Sequence, residues 1–381
     1  MQVDRLLAIV FSPFFFARLK DSSHIYPFTF IRVFSLLYLF MLFSFMWTPD
    51  KEEAIKQLVY YPVHFLLFLE IITFAITAQN PLKAITRGWL FSVLVCSIVA
   101  FWEITSGNHL SVAKEQGDAM NTGAEILEHM TASVTFNNYN SFVTYLCFCF
   151  PWIFYILISV NKSFVVKLLS IIALISSVLI IVLNASRGGV LSIFIMLIVY
   201  FILSKKSFFK NVITMISILL ISYIIINYGE SITAVIAARV EDGGMFEDES
   251  RAIIWHNSLL AFSDTWGIGV GIGGLRAAIE PYAQGGITAA HNLFLEILVQ
   301  YGIIITLVFI WFMWLQFIKS ITIEKSRRIS LMMTFIAFPV YTIIDSGYLL
   351  NTHFYVLIAT IYIFANYEFI KDSDRSIRET A

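Results

Sequence analysis

Charge is scarce in this sequence. Asp, Glu, Lys and Arg make up only 13% of its 381 residues, against roughly 25% in soluble domains, which excludes an ordinary water-soluble globular chain. A formal net charge of −1 offers no electrostatic footprint for nucleic acid. Cysteine is sparse as well. Cys96, Cys147 and Cys149 all fall in apolar runs without metal-ligand spacing, so packing is their expected role. The chain has no His-Glu-x-x-His, no Gly-x-Ser-x-Gly and no Asp-x-Asp pair at a strand end. Those absences argue against a zinc protease, a serine hydrolase and a nucleotide-sugar enzyme of the soluble type. Pro13 and Arg18 follow a short apolar run with no small-residue cleavage site, so a cleavable signal peptide is not expected.

What the chain has in abundance is apolar surface. Hydrophobic residues reach 59% and the mean hydropathy is +0.80. Repeated continuous runs near twenty residues predict an all-α integral membrane protein, since a β-barrel would show short alternating segments. Ten spans are expected, at 28–47, 58–77, 88–105, 140–160, 165–183, 188–203, 211–228, 292–318, 329–346 and 351–369. Residues 4–16 form an eleventh span or an interfacial helix. The expected organisation is an N-terminal bundle (1–228) with a smaller loop at 106–139, a large polar loop (229–290), and C-terminal helices (291–381).

Orientation follows from the positive-inside rule. With the large loop outside, the inner segments carry 16 Lys and Arg, whereas the much longer outer segments carry 7. Both loops are therefore expected on the extracytoplasmic face. Within the large loop, Trp255, Leu259 and Phe262 at i, i+4, i+7 spacing predict an interfacial helix from Arg251, with Ser250 as its N-cap. The Gly-rich run 267–274 cannot be a stable helix and lacks the Lys-Ser/Thr of a phosphate loop; a flexible joint is the expectation.

Several polar residues stand out. Arg187 lies in Asn184-Ala-Ser-Arg-Gly-Gly189, between two spans, where an arginine serves an anion or snorkels to headgroups. Gly188 and Gly189 allow close backbone approach, and the following helix aims its first amides at the same point. Arg251 either pairs with nearby acids or joins Arg187 in a bidentate grip on a diphosphate. His291 ends the loop at the membrane surface, a position suited to a general base near neutral pH. Asn292 and Arg276 are further candidates for substrate contact. Asn137 and Asn140, in Phe136-Asn-Asn-Tyr-Asn140, offer amides to a hydroxyl-rich ligand, with helix capping the alternative.

Taken in order, these features resemble the bacterial O-antigen ligase and polymerase superfamily. The resemblance rests on Phe136-Asn-Asn-Tyr-Asn140, Ser186-Arg187-Gly188, Glu249-Ser-Arg251 with the 267–274 turn, and His291-Asn-Leu-Phe-Leu-Glu296 running into Tyr301-Gly302-Ile303. It covers roughly 130–315. It implies a GT-C-like membrane fold, no cofactor and no metal, with Arg187 and Arg251 on a lipid diphosphate and His291 as the base. The implied donor is a polyprenyl-diphosphate-linked glycan and the implied acceptor a glycan or lipid-linked sugar, such as a lipid A-core, at the outer face of the cytoplasmic membrane. Many ligases of the family carry a second His a few residues before the His-Asn pair; Gly286-Ile-Thr-Ala-Ala290 holds none, so ligase and repeat-unit polymerase both stay open. A transporter or flippase of lipid-linked sugars is the rival without bond chemistry, although no internal repeat of the kind transporters show is present. A membrane sensor or assembly scaffold is a further rival.

Overall fold

The computed structural model describes residues 3–22, 27–110, 131–136, 138–159, 163–184, 186–204, 246–283 and 288–370. The expected span 211–228, the acidic piece around Glu241 and Asn137 lie outside the described residues. Every regular element that is described is helical, and twelve are α-helices. These are α1 (Val3–Ser22), α2 (Pro27–Ser44), α3 (Lys51–Thr77), α4 (Pro81–Ser106), α5 (Tyr139–Ile158) and α6 (Phe164–Leu183), followed by α7 (Arg187–Leu203), α8 (Phe246–Ser263), α9 (Leu275–Ala283), α10 (Leu293–Thr322), α11 (Lys325–Tyr341) and α12 (Thr352–Ala365). Among the described residues, five helices are long and apolar enough to cross a membrane: α4, α5, α6, α10 and the stretch Lys51–Ala75 of α3. Shorter apolar helices include Phe30–Ser44, Arg187–Leu203 and Thr352–Ala365. The protein is an all-α, multi-pass membrane protein.

Short polar signals set the helix ends. Asp50 caps α3 by accepting from the Glu53 amide at 2.9 Å, and Glu52 and Glu53 add negative charge to that first turn. Ser186 caps α7 through the Gly189 amide, and Glu324 caps α11 through Ser326 and Arg327.

The chain forms two compact units, one from Met1–Ile85, Arg251–Ile323 and Ser346–Ala381, the other from Thr86–Ser250 and Glu324–Asp345. In the first, α3 is central and packs against α1, α2 and α12. Phe34 stacks on Phe65 with ring centroids 4.4 Å apart, and Phe30 meets Phe68 and Tyr362 edge-on. The N-terminal segment is a full helix docked on α3. Its buried Arg5 donates to His64 Nε2 (3.3 Å) and to the Leu350 carbonyl (3.0 Å), and lies over the Tyr60 ring at 3.9 Å. A cation buried this far from water needs such partners.

In the second unit α5 is the hub, buried from Ser141 to Ile156 and packed by α6, α7 and α11. Cys147 and Cys149 are buried free thiols within it, and Cys96 is half-buried on α4. Gly189 lets α7 approach α5 closely, since a Cβ there would sit 2.5 Å from Val143 Cγ1.

Candidate active site

In the first unit α10 breaks at a tightly packed point. Gly302 interrupts this helix with φ 78° and ψ 179°, a conformation open in practice only to glycine. A break inside an apolar helix frees backbone groups that lipid cannot satisfy. The Gly-rich turn satisfies them: Val270 N donates to Val299 O (2.8 Å), Gly271 N to Gln300 O (3.0 Å), and Ile303 N to Gly267 O (3.0 Å).

The same turn is held from its other side by the α2–α3 connection. Trp47 Nε1 donates to Gly269 O (3.0 Å) and Thr48 Oγ1 to Ile272 O (2.7 Å). Ile272 N donates to Ser44 Oγ and Gly273 N to Gln57 Oε1. A Cβ on Gly269 would lie 2.5 Å from Gly302 N, and one on Gly273 would lie 2.5 Å from Ala54 N. The run expected to be a flexible joint is a fixed strut instead. Its glycines allow backbone to pack on backbone at distances that any side chain would prevent.

Behind the strut lies a buried polar chain. Gln300 Nε2 reaches Gln57 Oε1 (2.6 Å) and the Tyr301 hydroxyl (2.8 Å), and Tyr301 donates to the Tyr61 hydroxyl at 2.6 Å. All four residues are buried, so the network ties α3 to α10 at the break.

α8 starts at Phe246, so Ser250 lies inside the helix and does not cap it. Its buried face is Ile254, Asn257, Ser258 and Ala261, while Leu259 is exposed. The stripe Trp255-Leu259-Phe262 was one residue off: the packing partners are the α9 and strut residues, with Ala261, Val270, Ile279 and Val299 forming one apolar cluster. Small Ala261 allows that approach.

His291 precedes α10 in a left-handed conformation, φ 45°, strained for a residue with a Cβ. Asn292 follows as the N-cap, its side-chain oxygen accepting from Phe294 N (2.9 Å) and Leu295 N (3.3 Å). The side chain expected to meet substrate thus has its oxygen engaged in capping. One turn on, the buried Glu296 carboxylate accepts from Gly347 N (2.6 Å) and Tyr348 N (3.0 Å), fixing the segment between α11 and α12 to the His291 helix. Arg251 lies half-buried on α8, and exposed Arg276 on α9 reaches the Thr288 hydroxyl at 3.5 Å. Tyr282 on α9 donates its hydroxyl to the Asp264 carboxylate, and this bond, more than burial, holds its pKa above the ordinary phenol value.

The second unit holds Arg187 and Asn140. Arg187 is exposed at the first position of α7, three residues after Asn184. That buried asparagine accepts from Ala132 N (2.7 Å) and donates to Ala132 O (3.0 Å). The adjacent Ser133 and Val134 amides both donate to the buried Glu103 carboxylate at 2.9 Å, with Val134 at φ 55°. Successive amides closing on one carboxylate form an anion nest, here occupied from within the protein. It pins the end of the smaller loop beside the helix that carries Arg187. In the motif that follows, Asn138 is the helix cap, accepting from Ser141 N at 2.8 Å, and Asn140 sits half-buried in the first turn of α5.

The structure therefore gathers Arg251, Arg276, His291 and Asn292 into one unit and Arg187 with Asn140 into the other. Glu103, Asn184 and the anchoring role of Glu296 were missed in the sequence. An acid or amide within an otherwise apolar run was the available signal for Glu103 and Glu296; nothing local distinguished Asn184 from an ordinary loop residue.

Residues 171–310 match the family model described as O-antigen ligase. The chain is 24% identical over 310 residues to the teichuronic acid biosynthesis protein TuaE of Bacillus subtilis (strain 168), a match covering 77% of this chain and 62% of that protein. The chain thus spans less than two thirds of the length of this relative.

Proposed function

Starting from a chain that resembles the O-antigen ligase and polymerase superfamily and carries the ligase match over 171–310, we propose that it is a membrane glycosyltransferase. It moves a glycan from a polyprenyl diphosphate carrier to a sugar hydroxyl at the outer face of the cytoplasmic membrane. The observation that carries this reading is His291. It is a titratable residue held in a strained backbone state directly before a capped, anchored membrane helix, and such strain persists where surrounding structure over-determines a working position.

In the reaction, His291 takes the proton of the acceptor hydroxyl. The hydroxyl oxygen attacks the anomeric carbon and the bond to the diphosphate breaks with inversion. The diphosphate leaves with the electron pair, and its growing charge is met by Arg187 and Arg251. Arg276 and the amides of Asn137, Asn140 and Asn292 are the proposed contacts to sugar hydroxyls, Asn292 through its NH2 group because its oxygen caps α10. Ligation to an acceptor such as a lipid A-core is the first reading. Repeat-unit polymerisation is the second, compatible with a relative named for teichuronic acid biosynthesis.

The test is a deletion strain complemented with wild type or His291→Ala, its surface glycans resolved on a polysaccharide gel. Accumulation of long chains on the carrier identifies a ligase, and single repeat units identify a polymerase. A His291→Ala strain that matches wild type overturns the catalytic assignment in favour of a transporter or scaffold.

A further inference from the structure

The first unit contains a cavity that none of the assigned roles uses. It has a volume of about 540 Å³ and is lined by Trp47, Pro49, Asp264, Ile268, Ala278 and Tyr282, among others, on the α2–α3 connection, the strut and helices α8 and α9. That volume lies within the roughly 300–1,000 Å³ of small-molecule sites. Trp47 is locked by its bond to Gly269 O, so its partly exposed ring is a fixed wall. Asp264 and Tyr282 form the polar side through their mutual hydrogen bond.

A polyprenyl diphosphate glycan has three chemically distinct parts, and the lining discriminates among them. A polyprenyl tail would leave the Asp264 carboxylate against hydrocarbon, which is costly. A diphosphate would meet like charge. A sugar suits both walls: its C–H face packs on an aromatic ring, and its hydroxyls donate to a carboxylate whose acceptor capacity exceeds what one tyrosine uses. Position agrees with this. Ala261, in the wall, lies ten residues beyond Arg251 on α8, about 15 Å along the helix axis, and Arg276 shares α9 with Ala278 and Tyr282. A short oligosaccharide held near Arg251 would span that distance.

We infer that the Trp47–Asp264–Tyr282 cavity is a saccharide subsite that holds the glycan at a distance from the bond being made. The inference rests on the proposed glycosyl transfer for its substrate, and its test separates the two. The probe is the glycan freed by mild acid from the lipid carrier of the producing strain, titrated calorimetrically into the full-length protein in detergent. Wild type should bind it saturably. Asp264→Ala, which removes the acceptor, and Ala278→Phe, which fills the space, should each weaken binding about tenfold or more. Tyr282→Phe removes only a hydroxyl and should weaken binding less, while preserving the fold. Absence of binding by wild type, or unchanged affinity in well-folded Asp264→Ala and Ala278→Phe proteins, overturns the subsite. Transfer is measured separately in vesicles with the lipid-linked glycan. Binding without transfer by wild type supports the subsite and removes the glycosyltransferase reading. Transfer by wild type with unaltered binding in the variants does the reverse.

Discussion

Gly302→Ala attacks the point where α10 and the Gly-rich strut depend on each other. The backbone at φ 78°, ψ 179° costs a residue with a Cβ about 1–3 kcal/mol. The added carbon would also collide with the carbonyl oxygens of Ile268 and Gly267. Relieving that collision moves Gly267 O away from Ile303 N, and an amide within this membrane-spanning stretch left without its acceptor costs about 1–3 kcal/mol more. The total is about 2–6 kcal/mol. At roughly 2–4 °C per kcal/mol for chains of a few hundred residues, the melting temperature should fall by at least about 4 °C. Intrinsic-fluorescence melting of the detergent-solubilised protein reads this directly. The control is Gly88→Ala on α4, where nothing lies within 4 Å of the new Cβ and helix propensity predicts a gain of about 0.5–1 kcal/mol. A Gly302→Ala protein that melts with wild type would show that the strut does not support the break, and the account of a rigid Gly-rich run would fail.

Asn292→Ala should cost about 1 kcal/mol by loss of the α10 cap, whereas Asn292→Asp keeps the cap; if Asp preserves both melting temperature and transfer, the amide makes no essential substrate contact. Glu296→Gln sets an NH2 donor against the Gly347 or Tyr348 amide and should destabilise by about 1–3 kcal/mol, read as a lower melting temperature. Glu103→Gln should speed hydrogen exchange at the Ser133 and Val134 amides about tenfold or more, and unchanged exchange would mean that the nest does not hold the loop. Transfer in excess EDTA should proceed at the untreated rate if Arg187 and Arg251 alone meet the diphosphate charge; activity lost to EDTA and restored by a divalent cation would remove that assignment.

The sequence by itself determined the class and most of the helices. Hydrophobic run length locates spans because lipid demands about twenty apolar residues with internally paired backbone, and the expected span 165–183 became Phe164–Leu183, just as 188–203 became Arg187–Leu203. His291 and Arg187 stand out in the sequence because polar groups at the edge of an apolar span are few. Three matters were decided only by tertiary structure. Whether 267–274 bends or braces depended on carbonyls near Gly302, some thirty residues away, since glycine permits both outcomes and only its neighbours choose. Which face of α8 is buried depended on α9 and the strut, because a stripe shifted by one residue is nearly as apolar. What Asn138, Asn184, Asn292 and Glu296 bind was set by which amides folding brought near, for an amide or carboxylate side chain carries no local sign of whether it will meet substrate or its own backbone.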